Sequence, residues 1–291
     1  MFMQTPLGFK LGCNPRTFDP AIPHLSAILG GKAPPPPPSS VDYLTGMPQA
    51  PNKFGMMLNN TLGDCTCAAF YHARQVWTFN STGATQTAPD DDVELLYEKA
   101  CGYKPSQGGE GPGGNEQHVL TYIHKTGAPI GPDGPPVDKI LAFVEVDPRN
   151  LDDVKRTIFN SGIAYIGFNV PQNIMTDPPQ KIWTVAPGDP QIVGGHAVAL
   201  PGYDVDGAIV ISWGALYKMT WQFFSTYVDE VYDITDASWS RSKFASERKL
   251  SLPGGLSEAE LVNQMRHLKE RTLGRFTLCS WRRRLRRRSF R

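Results

Sequence analysis

Apolar and polar positions along the chain change rhythm near its middle. In the first half the repeats are helical: GDCTCAAFYHARQVWTFN carries apolar residues at helical spacing, and Asp64 is available as an N-cap, which predicts a helix beginning at about Cys65. Asp90 to Lys99 and Glu116 to His124 predict two more helices, separated by a Gly-rich loop around Gly108 to Gly114. In the second half KILAFVEV reads as an apolar strand, NLDDVKRTIFNSG as a capped helix ending at Gly162, and IAYIGFNV as another strand. HAVALPGY and AIVISW follow as two strands joined by a turn at Asp204 to Gly207. MTWQFFSTYVDEVYDI keeps helix spacing and then alternates like a strand, a pattern that core packing explains without a cofactor. A helical first half and a β-rich second half define an α+β fold class of two lobes, with a cleft between them where a substrate can lie.

The two ends have a different texture. Residues 1–41 are rich in Pro and Gly, and Pro34 to Pro38 predicts an extended polyproline arm with no packed core of its own. At the other end LSEAELVNQMRHLKERTLGRF predicts a helix with Ser257 as cap and Leu261, Met265 and Leu268 as its apolar stripe, and WRRRLRRRSFR follows it. The expected division is an arm over 1–41, one domain over 42–240, and a basic tail over 241–291, partly helical or disordered.

Charge sharpens that division. The formal net charge of +1 conceals 15 Lys and Arg against 4 Asp and Glu from Arg241 to Arg291, which leaves 14 basic against 24 acidic residues before it. Such a tail suits an anionic partner, whether nucleic acid, an anionic membrane surface or an acidic protein, while the blander expectation is a solvated end. With 291 residues, 40% of them hydrophobic, the chain can fill a core. No run approaches the roughly 20 apolar residues of a membrane helix, and the start lacks the layout of a secretory signal, so a soluble, cytoplasmic product is expected. The five cysteines repeat no spacing that suggests a disulfide framework, which fits a reduced compartment.

Cys65 is the candidate nucleophile. A cysteine in the first turn of a helix meets unpaired backbone amides and the positive end of the helix dipole, both of which favour the thiolate, and a nearby imidazolium adds to this. Gly63 before it permits close approach of another chain. By itself such a cysteine is more often a packed core residue.

A wider pattern gives it meaning. The segment PSSVDYLTGMPQAPNKFGMMLNNTLGDCTCAAF resembles the start of mature papain-family domains, and GGHAVALPGYDVDGAIVISWG resembles that family's histidine and S-W-G strands, in the same order and at approximate spacing. The GDCTCAA variant is similar to a divergent bacterial and phage branch of papain-like proteins. The resemblance implies a papain-like two-lobed fold, with the nucleophile on a helical lobe and the histidine on an antiparallel β lobe. It implies a cysteine peptidase acting on a peptide or protein substrate in the interlobe cleft, through a thioester on Cys65 with His196 as general base and acid. Asn59, six residues before Cys65, falls at the oxyanion-hole position, with Asn60 the neighbouring alternative. Trp213 matches the tryptophan that shields the histidine, and Gly214 the glycine after it.

Two departures bear on activity. The asparagine that orients the family's histidine falls on Ile211 when the S-W-G triplets are aligned. Counting from His196 reaches Ser212 instead, whose side chain strand alternation turns to the other face unless a bulge intervenes. Either a Cys-His dyad operates, or another side chain such as Asp204 or Asp206 serves, or activity has been lost and the chain is a catalytically silent binding or structural module. Thr66 also stands where a tryptophan would follow the nucleophile, and Cys67 comes after Cys65 rather than before it.

No cofactor or metal is expected. Cys65, Cys67, His72 and Cys101 offer a C-x-C pair with no second pair at matching spacing, poor grounds for zinc. His72 returns to the Cys65 face of the helix after two turns and reads as a packed or partly exposed residue, and His118, His124 and His267 as solvated surface. The Gly-rich stretches at Gly108 to Gly114 and Gly127 to Gly134 contain no G-x-x-x-x-G-K-[ST], which argues against a phosphate-binding loop.

Overall fold

The computed structural model describes residues 8–48, 50, 53–131, 137–176, 179–188 and 190–270. Its centre is helix α2 (Cys65–Thr82), which follows α1 (Leu25–Leu29) and whose residues from Cys65 to Thr78 are all buried. A helix enclosed on all sides needs no polar face, and its amphipathicity is accordingly weak. Helices α3 (Asp90–Cys101) and α4 (Glu116–Lys125) complete the helical lobe, the second capped by the Asn115 side chain, which accepts from the His118 amide.

The other lobe is a sheet. After β1 (Val41–Asp42) and a small hairpin of β2 (Ala128–Pro129) with β3 (Val137–Asp138) come β4 (Ala142–Glu145), helix α5 (Leu151–Ser161), β5 (Ala164–Pro171) and β6 (Ile182–Trp183). The long β7 (Ile192–Tyr203), β8 (Gly207–Ser212), β9 (Ala215–Thr220), helix α6 (Trp221–Tyr227) and β10 (Val228–Thr235) follow. The strand order is β4-β10-β5-β7-β8-β9-β6, with β1 added to β7. Every pair is antiparallel except β6 with β9. The predicted helices over Cys65, Asp90, Glu116 and the segment ending at Gly162 are present, as are the turn at Asp204 to Gly207 and the helix-then-strand stretch that closes the sheet. Not anticipated were β9 and the two-residue strands β1, β2, β3 and β6, which depend on long-range pairing.

Helix and sheet are locked together by buried polar bonds as well as apolar burial. Tyr165 on β5 donates to the Thr66 carbonyl in the first turn of α2 at 2.7 Å, and Trp77 on the same helix donates to the Ser161 carbonyl at 2.7 Å. Burying an apolar side chain of this class contributes about 1.5–3 kcal/mol, and α2 buries Phe70, Val76 and Trp77 together.

The N-terminal arm does not stay apart from the domain. Leu11, Ile22, Leu25 and Ile28 enter the common core, and the proline run is fastened by its carbonyls, Pro35 accepting from Arg156 and Pro38 from Tyr203. A chain short of donors can still dock through its C=O groups. At the other end, helices α7 (Ala237–Ser240) and α8 (Lys243–Glu247) bury Trp239 and Ala245, and residues 258–270 form the expected helix with Leu261 buried. The run WRRRLRRRSFR lies outside the described residues. Among the described residues no helix is long and apolar enough to cross a membrane.

Candidate active site

Cys65 is the first residue of α2, and Asp64 occupies the N-cap position without making a capping bond from its side chain. Instead one Asp64 oxygen accepts from Asn59 Nδ2 at 3.2 Å and the other has no partner. Burial pushes the Asp64 carboxyl well above the usual carboxylate range, against the hydrogen bond from Asn59. The expected cap is therefore present in position but not in function.

His196 lies on β7, packed against the same end of α2. Its Nε2 is 2.7 Å from Ser212 Oγ, and its Nδ1 is buried without a hydrogen-bond partner. The strand register explains the Ser212 contact. At the turn end of the β7–β8 pair, Gly202 faces Ile209 and Tyr203 faces Ala208, a register that would set Ser212 opposite Ala199. Between Gly202 and Ala199 the register shifts by one residue, so that Ala199 faces Ile211 and Ser212 comes opposite Val198, on the face that His196 shares. Ile211 is fully buried and turns away.

Trp213 is placed by a different device. A flat strand would send Trp213 to the opposite face from Ser212, but it has a left-handed φ of 45° and stacks on the His196 ring with centroids 4.2 Å apart. Holding a bulky residue there costs on the order of 1–3 kcal/mol, and the result is one imidazole held at its edge by Ser212 and covered on its face by Trp213.

The remaining candidates are distributed unequally. Asn59 is buried, but both of its amide bonds run back into its own loop, to the Leu62 carbonyl and to Asp64, each at 3.2 Å. Asn60 is exposed. Asp204 accepts the Asp206 and Gly207 amides and pairs with Lys218 at 2.7 Å, and Asp206 is exposed beside the same lysine. Both belong to the β7–β8 turn and not to His196. His72 is fully packed, its Nδ1 3.0 Å from Gln75 Oε1, and burial holds its pKa down to about 4. Cys67 and Cys101 are close enough to bond through their thiols, and the four described cysteines are free. Among the described residues no three His, Cys, Asp or Glu side chains converge as a metal site.

The groove between the lobes is covered by the N-terminal arm. Residues 9–14 of the arm run through it. The Lys10 amide donates to the Asn59 carbonyl at 3.0 Å, and Lys10 Nζ meets Glu110. On the helical side Gly114 donates to Gly12 and accepts from Asn14, and on the sheet side the Cys13 amide donates to the Gly195 carbonyl at 3.0 Å. Phe9 stacks on Trp213 at 4.6 Å. The approach is so close that a Cβ at Gly12 would collide with the Gly63 carbonyl and one at Gly195 with the Cys13 carbonyl.

With this segment seated, Cys65 and His196 are shut from water. Cys65 and His196 are each 1% exposed. Desolvation pushes the Cys65 thiol up to about 12, against the opposing pull of the Ala197 and Gly12 backbone amides, and holds the His196 imidazole down to about 3. The sequence suggested a thiolate stabilised by helix and imidazolium; with the arm seated both groups are neutral at pH 7, because loss of water outweighs the helix end and the two amides.

No family model matches the chain, and no curated protein matches its sequence. Solved structures match its shape. Xylellain, a cysteine protease from Xylella fastidiosa, aligns with a TM-score of 0.58 at 16% identity, over 81% of this chain and 99% of that one. The cysteine protease and lectin-like domains of Cwp84, a surface layer associated protein of Clostridium difficile, align at 0.50 and 12% identity, over 68% of this chain and 52% of that one. The Carica candamarcensis cysteine protease CMS1MS2 aligns at 0.48 and 17% identity, over 68% of this chain and 99% of that one. At these identities the likeness is one of fold, and the fold is that of the papain-like cysteine proteases.

Proposed function

We propose that the chain is a cysteine peptidase with Cys65 as nucleophile, His196 as general base and acid, and Ser212 as the residue that orients the imidazole. The observation that carries this reading is the His196 ring itself: Nε2 is bonded to Ser212 while Nδ1 is left free on the strand whose Ala197 amide reaches the Cys65 sulfur. A neutral ring that donates from Nε2 to Ser212 keeps Nδ1 unprotonated, which is the tautomer a base requires.

With the arm displaced and water admitted, Nδ1 takes the Cys65 proton and the thiolate adds to the substrate carbonyl carbon. The C–N bond breaks as the leaving amine takes the proton from His196, and water, deprotonated by the same ring, splits the thioester to return the free thiol. Trp213 shields the imidazole from solvent throughout. The α2 N-terminus supplies amides for the developing oxyanion. Asn59 would have to give up its two loop bonds to join them.

The arm's bonds to Gly114 and Gly195 support a peptide as substrate, since an extended main chain already satisfies both edges of the groove. Hydrolysis of a quenched fluorescent peptide library by the full chain, lost in Cys65→Ala and in His196→Ala, tests the reading. A second reading, a silent module that keeps the groove for binding, is favoured by the closed site and the inward-turned Asn59. It predicts peptide binding without cleavage in the intact chain.

A further inference from the structure

Helix 258–270 closes one side of the domain and leaves a cavity beneath it. Leu261 is buried, and Gln264 Nε2 donates to the Ala27 and Ile28 carbonyls at 3.4 and 3.1 Å, which fixes the helix against α1. Val262, Met265, Arg266 and Lys269, at spacings i, i+3, i+4 and i+7, form the neighbouring stripe. That stripe encloses a cavity of about 270 Å³ with Ala21 and Ile22 of the arm, Leu141 and Phe143 at β4, and Thr121 and Lys125 of α4. The volume is close to the lower end of ligand pockets, roughly 300–1,000 Å³. The interlobe groove passes Gly114, ahead of the first turn of α4, whereas this cavity meets the last turn at Lys125.

The lining divides by chemistry. Ile22, Leu141, Phe143 and Met265 are apolar and buried or half-buried, while Val262 is left 45% exposed. Lys125, Arg266 and Lys269 bring three cations to the same lining, and among the described residues none of the three belongs to an ion pair. Arg266 donates to Asn263 of its own helix at 3.0 Å. Asp19, the acid on this lining, accepts the Ala21 amide at 2.8 Å. His124 packs edge to face with Phe143 and donates from Nδ1 to the Ile140 carbonyl at 3.1 Å, so it serves the wall.

We propose that this cavity binds a free medium- or long-chain carboxylate, its alkyl chain against Phe143 and Met265 and its head group among Lys125, Arg266 and Lys269. A recess of this size takes one chain, and the apolar lining offers that chain the burial that drives its transfer from water. The three cations supply the opposite charge, on long stems that can converge on a single carboxylate. No step of peptide hydrolysis uses this site, so it stands whether or not Cys65 is an active nucleophile.

The test is calorimetric titration of the full-length chain at pH 7.5 with hexanoate, octanoate and decanoate, and with 1-decanol as the uncharged counterpart. Each pair of added methylenes should tighten binding roughly tenfold, and decanoate should bind at least about fivefold more tightly than decanol. That charge ratio should fall toward one in Lys125→Gln and in Lys269→Gln, both at exposed positions. Ala21→Phe fills the cavity and should remove decanoate binding; if that variant misfolds by circular dichroism, the two lysine variants decide alone. No decanoate binding, equal affinity for decanoate and decanol, or a charge preference that survives both lysine variants overturns the site. Association with anionic phosphatidylglycerol vesicles in the absence of decanoate binding overturns it in favour of a membrane surface.

Discussion

His196 Nε2 and Ser212 Oγ stand 2.7 Å apart because the β7–β8 register shifts by one residue between Gly202 and Ala199. Undoing that shift would set Ser212 opposite Ala199 and leave the imidazole unsupported on its Nε2 edge. In the proposed mechanism the serine positions the ring without touching substrate. Ser212→Ala should therefore lower kcat by about tenfold to a hundredfold with little change in KM, and Ser212→Asn should restore part of the loss; steady-state kinetics on a fluorogenic peptide decide it. A parallel rise in KM would point to a distorted groove instead.

The seated arm sets the reactivity of the thiol. Gly12 passes so close to Gly63 that a methyl group cannot be accommodated. Gly12→Ala should unseat residues 9–14 and raise the rate of Cys65 alkylation at pH 7.5 by at least about tenfold, read by mass spectrometry of each cysteine peptide. Equal rates in the two chains would mean that the arm already leaves the groove in solution.

Asn59 is tied to its own loop and holds one oxygen of the buried Asp64. Asn59→Ala should accordingly act first on stability, costing about 1–3 kcal/mol in urea unfolding, since it strips Asp64 of its partner in a dry site. A variant of unchanged stability that loses turnover would restore Asn59 to the oxyanion hole.

His196 also makes a prediction about pH and stability. Its folded pKa of about 3 lies below the unbound value of 6.5, so between those values the unfolded chain holds more protons on this group and stability falls as pH falls. Relative to His196→Gln, the wild type should lose about 1.4 kcal/mol per pH unit below about pH 6. Paired urea titrations at pH 7 and pH 4.5 isolate the effect from Asp233, which is raised to about 6 and whose neutral form works in the opposite direction.

How much of this the sequence carries depends on the range of the interactions. The starts of α2, α3 and α4 at Cys65, Asp90 and Glu116 were readable because helical spacing of apolar residues is local, although of the three only α4 has a side-chain cap. Cys65, His196 and Trp213 were singled out through their motif, and the structure stacks Trp213 on the His196 ring. Ser212 was left open on the condition of a bulge, and a one-residue shift is a property of strand pairing that no single strand records. That the arm could cover the cleft was open from the sequence, but not which of its residues do so, since main-chain bonds hold residues 9–14 and a main chain has no letter in the sequence.

The central claim is that Cys65 and His196 form a nucleophile and its base once the groove is open. It is tested most directly by the pH profile of Cys65 alkylation with iodoacetamide, in Gly12→Ala and in Gly12→Ala with His196→Ala. The account predicts that the opened chain reacts readily below about pH 6, and that this low-pH reactivity disappears without His196. A profile that rises only near about pH 8.5, the same with or without the histidine, would contradict it.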